Sequence, residues 1–260
     1  MKTGNNTQSV TRHRAIFISD VHLGTRGCQA EALLDFLKHN DSDYLYLVGD
    51  IIDGWRLSRR WYWPQAHNDV AQKILRKARK GTKVIYVPGN HDEFLRTYLG
   101  LNLGDIEILD ETVHVTADGK KLLVIHGDQF DGVVRYHKGI AMLGSWAYDV
   151  MVSFNGVFNR LRRAFGMPYW SLAAYIKHRV KDAVQFIVNF EEAVLTAAAE
   201  RGLDGCVCGH IHHPNIREVN GLLYCNDGDW VETASALVED ENGKLAIVHW
   251  RVAPAEVKTP

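Results

Sequence analysis

Residues 44–53 read Tyr-Leu-Tyr-Leu-Val-Gly-Asp-Ile-Ile-Asp, an apolar run of strand length that ends abruptly at a glycine and an aspartate. Along the chain, most of the short polar motifs follow directly after an apolar run of this kind. Helical patterns separate the early runs, and such strand–helix–strand alternation predicts an α/β fold with parallel strands. Open sheets of this class bind ligands just beyond the carboxyl ends of their strands. The polar motifs therefore predict a functional site at that edge of the sheet.

The runs predict strands at 15–19, 44–48, 83–87, 121–125, 205–208, 222–225, 234–238 and 245–250. Helices are predicted at 30–39 and at 68–80, and Gly81 is placed to end the second one. After residue 222 the strands follow one another without helices, and residues 240–243 read as a hairpin turn. This pattern predicts a second, more antiparallel sheet.

Six polar motifs supply the side chains for chemistry. In chain order they are Asp20-Val-His22, Gly49-Asp50-Ile-Ile-Asp53, Gly89-Asn90-His91-Asp92-Glu93, His126-Gly127-Asp128, Gly209-His210-Ile211-His212 and Asp227-Gly228-Asp229. Carboxylate oxygen, amide oxygen and neutral imidazole nitrogen suit hard-to-borderline divalent cations. Two such ions about 3.5–4 Å apart can clamp a phosphoryl group and lower the pKa of water towards neutrality. The motifs therefore favour hydrolysis of a phosphoester or a pyrophosphate.

Two of these motifs place a pair of candidate ligands two residues apart. Asp20 and His22 form one pair, and His210 and His212 form the other. In extended backbone, side chains two residues apart point to the same side. We therefore expect each pair to lie in an extended loop, with His213 facing away.

The motifs resemble the signature blocks of the calcineurin-like metallophosphoesterase superfamily in order and approximate spacing, over roughly residues 15–250. Other features resemble one branch, the UDP-2,3-diacylglucosamine diphosphatase family of lipid A synthesis. They are the stretch 19–24, Trp55, His126-Gly127-Asp128, a helical-looking insert near 132–185, and Gly228-Asp229-Trp230. The best-known enterobacterial members carry Arg where this chain has His91, and a Cys-containing stretch where it has residues 129–131. This difference leaves the substrate open.

The resemblance implies a fold of two packed sheets flanked by helices, with a helical lid insertion, and two divalent metal ions, usually Mn²⁺. The first ion would be held by Asp20, His22, Asp50 and His212. The second would be held by Asp50, Asn90, His126 and His210, with Asp50 bridging. His91 would act on the substrate or leaving group, and Asp92 would orient its ring. For Asp92, capping of the following helix is the alternative.

Five further residues are candidates for substrate binding. They are Asp53, Trp55, Asp128, Asp131 and His213. Each has a structural alternative, such as capping or packing. For Asp53, a role as a helix cap is as well supported as contact with substrate.

The insert between residues 132 and 181 contains eight basic residues and one acidic residue, interleaved with aromatic and other bulky apolar side chains. A basic amphipathic segment is typical of a lid that also contacts anionic lipid. The alternatives are an ordinary lid that packs on the core and, with less support, a surface that binds single-stranded nucleic acid. We expect a cytoplasmic enzyme peripherally associated with the inner membrane.

Composition limits the other possibilities. A net charge of −1 gives nucleic-acid binding no general support, and the four cysteines form no framework typical of a secreted protein. Residues 1–14 lack the apolar segment of a signal peptide, so we expect a flexible tail before one domain at 15–260. The oligomeric state stays open.

Three hypotheses about function follow. The first is a pyrophosphatase that cleaves UDP-2,3-diacylglucosamine to UMP and a lipid phosphate. The second keeps the two-metal chemistry but acts on another lipid phosphodiester or a soluble nucleotide. The third, an inactive scaffold, is disfavoured because every expected ligand position is filled.

Overall fold

The computed structural model describes residues 10–131 and 172–250, with side chains from residue 184 onward in the second stretch. The strands are β1 (Thr11–Ile18), β2 (Asn40–Val48), β3 (Lys83–Val87), β4 (Ile106–Ile108), β5 (Thr112–Val115), β6 (Lys121–Val124), β7 (Gly205–Cys208), β8 (Asn215–Val219), β9 (Leu222–Asn226), β10 (Ser235–Glu239) and β11 (Leu245–His249). The α-helices are α1 (Ala30–His39), α2 (Gly54–Arg59), α3 (Gln65–Arg79) and α4 (Leu172–Glu200).

The chain divides into two compact units, residues 1–128 with 194–260 and residues 129–193. Helix α4 contributes residues to both units. The predicted lid at 132–185 lies outside the described residues except for its last part, which belongs to α4. The lipid-binding role of that lid therefore stays a prediction. Within the part of the chain that the structure describes, no helix combines the length and apolar character needed to cross a bilayer.

The first unit is built on two mixed sheets. The first has the strand order β11-β10-β1-β2-β3-β4 and the second has the order β5-β6-β7-β9-β8. Strands β1, β2, β3 and β4 run parallel in the first sheet, and β6, β7 and β9 run parallel in the second. The predicted α/β sandwich of two sheets flanked by helices is confirmed.

Alternate residues of the central strands serve two different cores, which is why these strands read as continuous apolar runs. Ile16 and Ile18 of β1 face the core that α1 and α3 cover. Ala15 and Phe17 face the core between the sheets, which β6, β7 and β9 complete from the other side. Phe17 stacks on Tyr46 of β2 there, with ring centroids 4.6 Å apart.

Two expectations from the sequence were wrong. Residues 11–14 belong to β1 rather than to the tail, because Thr11–His13 pair in register with the start of β2 and His13 hydrogen-bonds Asn40. Strands β10 and β11 join the first sheet, antiparallel to β1, rather than forming the second sheet. The turn at 240–243 does connect them, with Asp240 N donating to Lys244 O at 3.0 Å.

A buried glutamate connects the two sheets. Glu239, at the end of β10, is fully buried and accepts hydrogen bonds from Arg14 of β1 at 3.0 Å and from the backbone N of Ala117 at 2.7 Å. The Nε2 atom of His114 on β5 lies 2.6 Å from its carboxylate. Burial alone would raise the pKa of Glu239, but these partners, His114 first, lower it below the ordinary value of 4.5.

We expect Glu239→Gln to lower the free energy of unfolding at pH 7 by about 3 kcal/mol, because it leaves buried partners without their counter-charge. A lowered pKa in the folded state means that the ionised carboxylate stabilises the protein above pH 4.5, and that this contribution is lost as pH falls through the folded value. The difference between variant and wild type should therefore shrink in acid. Urea unfolding at pH 7 and below pH 4.5 measures it, with the exposed Glu241→Gln as control. A constant difference would contradict this account.

Candidate metal centre

The candidate ligands lie at the carboxyl ends of parallel strands in both sheets. Asp20 and His22 follow β1, Asp50 follows β2, and Asn90 follows β3. From the second sheet, His126 follows β6, and His210 and His212 follow β7. The predicted ligands therefore come from five loops that meet where the ends of the two sheets face each other.

The loops that hold these ligands were predicted to be extended, and that prediction was wrong. Asp20, His22 and Asp50 have φ angles of 48°, 53° and 54°, and those of His210 and His212 are 69° and 53°. Left-handed backbone costs a non-glycine residue about 1 kcal/mol or more and persists only where the surroundings enforce it. Here the loops after β1 and β2 enforce it on each other: Asp20 N donates to Gly49 O at 3.0 Å and His22 N donates to Asp50 O at 2.9 Å.

Asp20 is fully buried, yet only one of its two carboxylate oxygens accepts hydrogen bonds from the described residues. Its Oδ2 accepts hydrogen bonds from the backbone N of His210 at 2.8 Å and from Ser19 Oγ at 2.7 Å. Its Oδ1 lies 3.0 Å from Nε2 of His212 and 3.8 Å from Nε2 of His22. Among the described residues, Oδ1 has no partner in hydrogen-bond geometry. That oxygen is free to bind a cation.

Asp50 divides its carboxylate in the same way. Its Oδ1 accepts a hydrogen bond from the backbone N of His91 at 2.7 Å. Its Oδ2 lies 3.6 Å from Nε2 of His126 and 3.9 Å from Nε2 of both His22 and His91. This oxygen therefore faces three imidazole rings, which suits the bridging position that the resemblance implies.

His126 and Asn90 also present free donor atoms. His126 is buried, and its Nδ1 lies 2.8 Å from Val48 O, which accepts the ring proton and leaves Nε2 as the atom available to a metal ion. Both side-chain polar atoms of Asn90 are buried without a hydrogen-bond partner among the described residues. Such orphaned polar groups are costly unless a ligand satisfies them. The donor set therefore fits cations.

Glycines let the loops approach this closely. A Cβ atom added to Gly89 would overlap Asp50 Oδ1 and lie 2.7 Å from the ring of His126. One added to Gly209 would overlap Ser19 Oγ and lie 2.6 Å from Asp20 Oδ2. At both positions the side chain of a candidate ligand occupies the space that any other residue would need.

Asp53, and not the predicted Asp92, lies beside the ring of His91. Its Oδ2 lies 3.1 Å from Nδ1 of His91 and 3.3 Å from Nδ1 of His22. Its Oδ1 accepts a hydrogen bond from Arg56 N at 2.8 Å, which caps α2. Asp53 thus hydrogen-bonds the ring of His22, faces the ring of His91 and caps a helix with one carboxylate.

Asp92 instead binds backbone N–H groups of two loops. Its carboxylate is fully buried and accepts hydrogen bonds from Gly89 N at 2.6 Å, Ile51 N at 2.8 Å and the hydroxyl of Tyr86 at 2.5 Å. It therefore holds the loop after β2 against the loop after β3, and the interpretation that it orients the His91 ring was wrong. Its carboxylate oxygens are occupied by amides and a phenol.

The remaining candidates differ in their surroundings. Trp55 is 43% exposed and its ring centroid lies 4.3 Å from that of His91, so it adjoins the centre. Asp128 is engaged by Arg96, whose Nη2 donates to both of its oxygens at 2.8 and 2.9 Å. His213 is exposed. Asp131 belongs to the unit of residues 129–193, and its substrate-binding role stays a prediction.

Sequence reasoning missed the residues that hold the ligands in place. Ser19 Oγ lies 2.7 Å from Asp20 Oδ2 and 2.6 Å from Asp227 Oδ1, so it connects the loops after β1 and β9. Arg96 also donates to Pro88 O at 3.2 Å. The only signal for this supporting role was the sixth polar motif, which contains Asp227 and was given no role.

The charges of the centre are mutually supporting. Burial would raise the pKa of Asp20, but His212, and then His126 and His22, hold it well below its usual range. Burial would lower the pKa of His212, but Asp20 outweighs it and raises that pKa to about 9. Asp50 raises the pKa of the buried His126 in the same way, against the effect of burial. The buried carboxylates thus favour positive charge around them, which protonated rings or bound cations can supply.

Among the residues that the structure describes, three groups of donor atoms are close enough to hold a metal ion, with all atoms of a group within 4.8 Å of one another. They are Asp20 with His22 and His212, Asp20 with Asp50 and His126, and Asp50 with His22 and His91. The first contains three of the four ligands that the resemblance assigns to one ion. His210 adjoins the second, with its ring centroid 5.1 Å from that of His126.

The chain is similar to proteins of known family. The family model of the calcineurin-like phosphoesterases matches residues 13–214. The UDP-2,3-diacylglucosamine hydrolase of Xanthomonas campestris is 29% identical over 240 residues, which cover 88% of this chain and 96% of the relative. The protein of the same name from Chromohalobacter salexigens is 26% identical and covers 78% of this chain and 81% of its own length. YfcE, a phosphoesterase from E. coli, is a structural neighbour that is 15% identical, covering 91% of this chain and 99% of its own at a TM-score of 0.43. The chain belongs to the calcineurin-like phosphoesterase family.

Proposed function

We propose that this protein hydrolyses the pyrophosphate bond of UDP-2,3-diacylglucosamine and releases UMP and a lipid phosphate. The observation that carries the proposal is that relatives named UDP-2,3-diacylglucosamine hydrolase match most of the chain, up to 96% of their own length. Donor atoms of Asp20, Asp50 and His126 lie within 4.8 Å of one another, and Asn90 has buried polar atoms without a hydrogen-bond partner among the described residues, which supports a metal-dependent reaction at a phosphoryl group.

Two cations would be held by the donor atoms of five loops. Asp20, His22, Asp50 and His212 would hold one, and Asp50, Asn90, His126 and His210 would hold the other. Mn²⁺ is the ion that we propose. When bound, two such ions neutralise phosphoryl oxygens and lower the pKa of water towards neutrality. Asn90 is a neutral ligand, which keeps the loaded site positive and therefore suited to an anionic pyrophosphate.

His91 is the residue that we assign to the leaving group. Its backbone N anchors Asp50, and its ring stands against His22 and Trp55, with centroids 4.6 and 4.3 Å away. Asp53 faces Nδ1 at 3.1 Å and so directs Nε2 towards the centre. An imidazole held in this way can donate a proton to a departing phosphate oxygen or stabilise its charge.

The substrate determines where the enzyme acts. A diacylated sugar nucleotide resides in a bilayer with its nucleotide in water, so we propose a cytoplasmic enzyme that associates peripherally with the inner membrane. The predicted lid at 132–185, with its basic and aromatic residues, would contribute to that association.

A second candidate keeps the centre and changes the substrate to another lipid phosphodiester or a soluble nucleotide. The observation that favours it is His91, a neutral-to-cationic ring at a position where enterobacterial enzymes of the lipid A branch carry a permanently charged Arg. Such a change alters the group that faces the scissile phosphate.

Asp50→Asn should abolish release of UMP from UDP-2,3-diacylglucosamine. The substitution removes the negative charge of a carboxylate that belongs to two of the three donor groups, and an amide binds a cation more weakly. The assay is run in detergent with added Mn²⁺, and Asp69→Asn, a carboxylate exposed on α3, is the matched control. Release by wild type and control alone supports the proposal. If wild type cleaves a generic phosphodiester but releases no UMP, the second candidate replaces the first.

His91→Ala should retain both metal ions and lose about 10²–10⁴-fold in kcat, the usual contribution of a general acid or base. Metal content by elemental analysis and kcat are measured on the same preparation, with His249→Ala, an exposed histidine on β11, as control. Loss of one metal equivalent would instead make His91 a ligand, as the group of Asp50, His22 and His91 permits.

Metal binding should release protons at neutral pH. Because the pKa of His212 is raised to about 9, its ring is protonated below that pH and must lose the proton to become a ligand. Affinity for Mn²⁺ should therefore rise with pH from 6 to about 9. Calorimetric titration in two buffers of different ionisation enthalpy counts the protons. An affinity independent of pH over that range would contradict the assignment of His212.

A further inference from the structure

An arm of exposed leucines covers the free edge of the first sheet. The leucine arm, residues 99–103, follows the loop of His91 and pairs antiparallel with β4, the edge strand. Gly100 N donates to Ile108 O at 2.9 Å, and Leu103 N donates to Ile106 O at 2.8 Å. Backbone hydrogen bonds therefore hold the arm in place. Its leucine side chains are exposed although the backbone that carries them is fixed.

The register of the arm fixes the face on which its leucines lie. Asn102 stands opposite Glu107, so Leu101 and Leu103 share a face with Ile108 and Ile106. Those isoleucines belong to the core that α3 covers. Leu101 and Leu103 therefore point to the α3 side of the sheet, where they remain 56% and 65% exposed.

Helix α3 continues this apolar surface and adds positive charge beside it. Leu75 of α3 is 42% exposed, and a Cβ atom on Gly104, at the end of the arm, would lie 3.5 Å from its Cδ2. Arg76 and Arg79 of α3, and Lys80 directly after its last residue, are exposed and form no ion pair with any residue that the structure describes.

The acidic residues around this surface leave its charge positive. Glu107 is paired with Lys83 at 3.8 Å, and Asp105 is exposed next to the arm. Against Asp105 stand the three unpaired cations of α3. Partial burial lowers the pKa of Lys73, and positive charge on Lys77, Lys80 and Arg76 lowers it further against the opposite effect of Asp41.

We propose that the leucine arm and the exposed basic residues of α3 form a docking surface for an anionic phospholipid bilayer. The proposal rests on the proposed function only in that a lipid substrate requires contact with a membrane. Leu101 and Leu103 insert into the interface, while Arg76, Arg79 and Lys80 bind lipid phosphates. This combination of buried apolar area and electrostatic attraction is how interfacial segments bind membranes.

Charge decides between a bilayer and other occupants of this surface. A second copy of the chain would bring three unpaired cations against three others, which costs free energy unless acidic groups face them. An anionic bilayer offers a dense layer of phosphates to all of them at once.

Vesicle co-sedimentation of the full chain tests the proposal. Wild type should bind vesicles of phosphatidylcholine with phosphatidylglycerol, and added salt should weaken the binding. The double variant Leu101→Ser with Leu103→Ser should bind at least about tenfold more weakly, as should Arg76→Glu with Arg79→Glu. Wild type and both double variants should bind poorly to vesicles of phosphatidylcholine alone.

Matched controls separate this surface from general effects. Val113→Ser with Val115→Ser removes two exposed apolar side chains from β5, and Lys38→Glu with Lys244→Glu reverses two exposed charges elsewhere. Both controls should bind vesicles as wild type does. Hydrolysis of substrate in detergent should be unchanged in all four variants, which also reports that they are folded.

Three results would overturn the proposal. They are failure of wild type to bind anionic vesicles, unchanged binding by the leucine variant, and conversion of a wild-type oligomer to monomer by that variant in size-exclusion chromatography, which would assign the surface to self-association. If binding depends on the arm but wild type does not cleave UDP-2,3-diacylglucosamine, the docking surface stands and the proposed substrate fails.

Discussion

The structure depends on two buried carboxylates, Asp20 and Asp50, at the line where two sheets meet. One oxygen of each accepts a hydrogen bond from a backbone amide of a neighbouring loop. The other oxygen of Asp20 has no hydrogen-bond partner among the described residues, and that of Asp50 faces imidazole rings at 3.6–3.9 Å. An unpaired buried charge is expensive, so the centre is stable only with protonated imidazoles or cations around it. The raised pKa of His212 and the lowered pKa of Asp20 are two consequences of this one constraint. Metal affinity and fold stability are therefore coupled at these side chains.

The same constraint explains the backbone of the loops. The side chains of these carboxylates point to the place where the two sheets meet, while backbone amides of the same loops pair with a neighbouring loop. Both conditions require the chain to make sharp turns directly after each strand. Left-handed conformations at Asp20, His22 and Asp50 provide them. Gly89 and Gly209 stand where the candidate ligands leave no room for a side chain. The strain is sustained because each loop is bonded to its neighbours, and Asp92 adds bonds to two of them.

Sequence predicted the parts of this design that leave a pattern. Strands buried on both faces read as apolar runs, so the central strands of both sheets were predicted, and the candidate metal ligands follow those runs. Strand β8 was missed because it is an exposed edge strand, in which Ile216 lies among polar residues. The exchange of roles between Asp53 and Asp92 was missed because it depends on which carboxylate reaches backbone amides and which reaches rings. Only the packed loops determine that choice.

The arrangement also separates the side chain at position 91 from the part of that residue that fixes Asp50. The group at this position that fixes Asp50 is the backbone N–H, at 2.7 Å, and any residue except proline supplies it. The side chain instead faces Asp53, which holds a carboxylate ready for either an imidazole or a guanidinium. Replacing one by the other therefore changes the charge and reach of the side chain without removing the backbone hydrogen bond to Asp50. The proposed contact of residue 91 with substrate can thus change independently of the backbone contact that positions a proposed metal ligand.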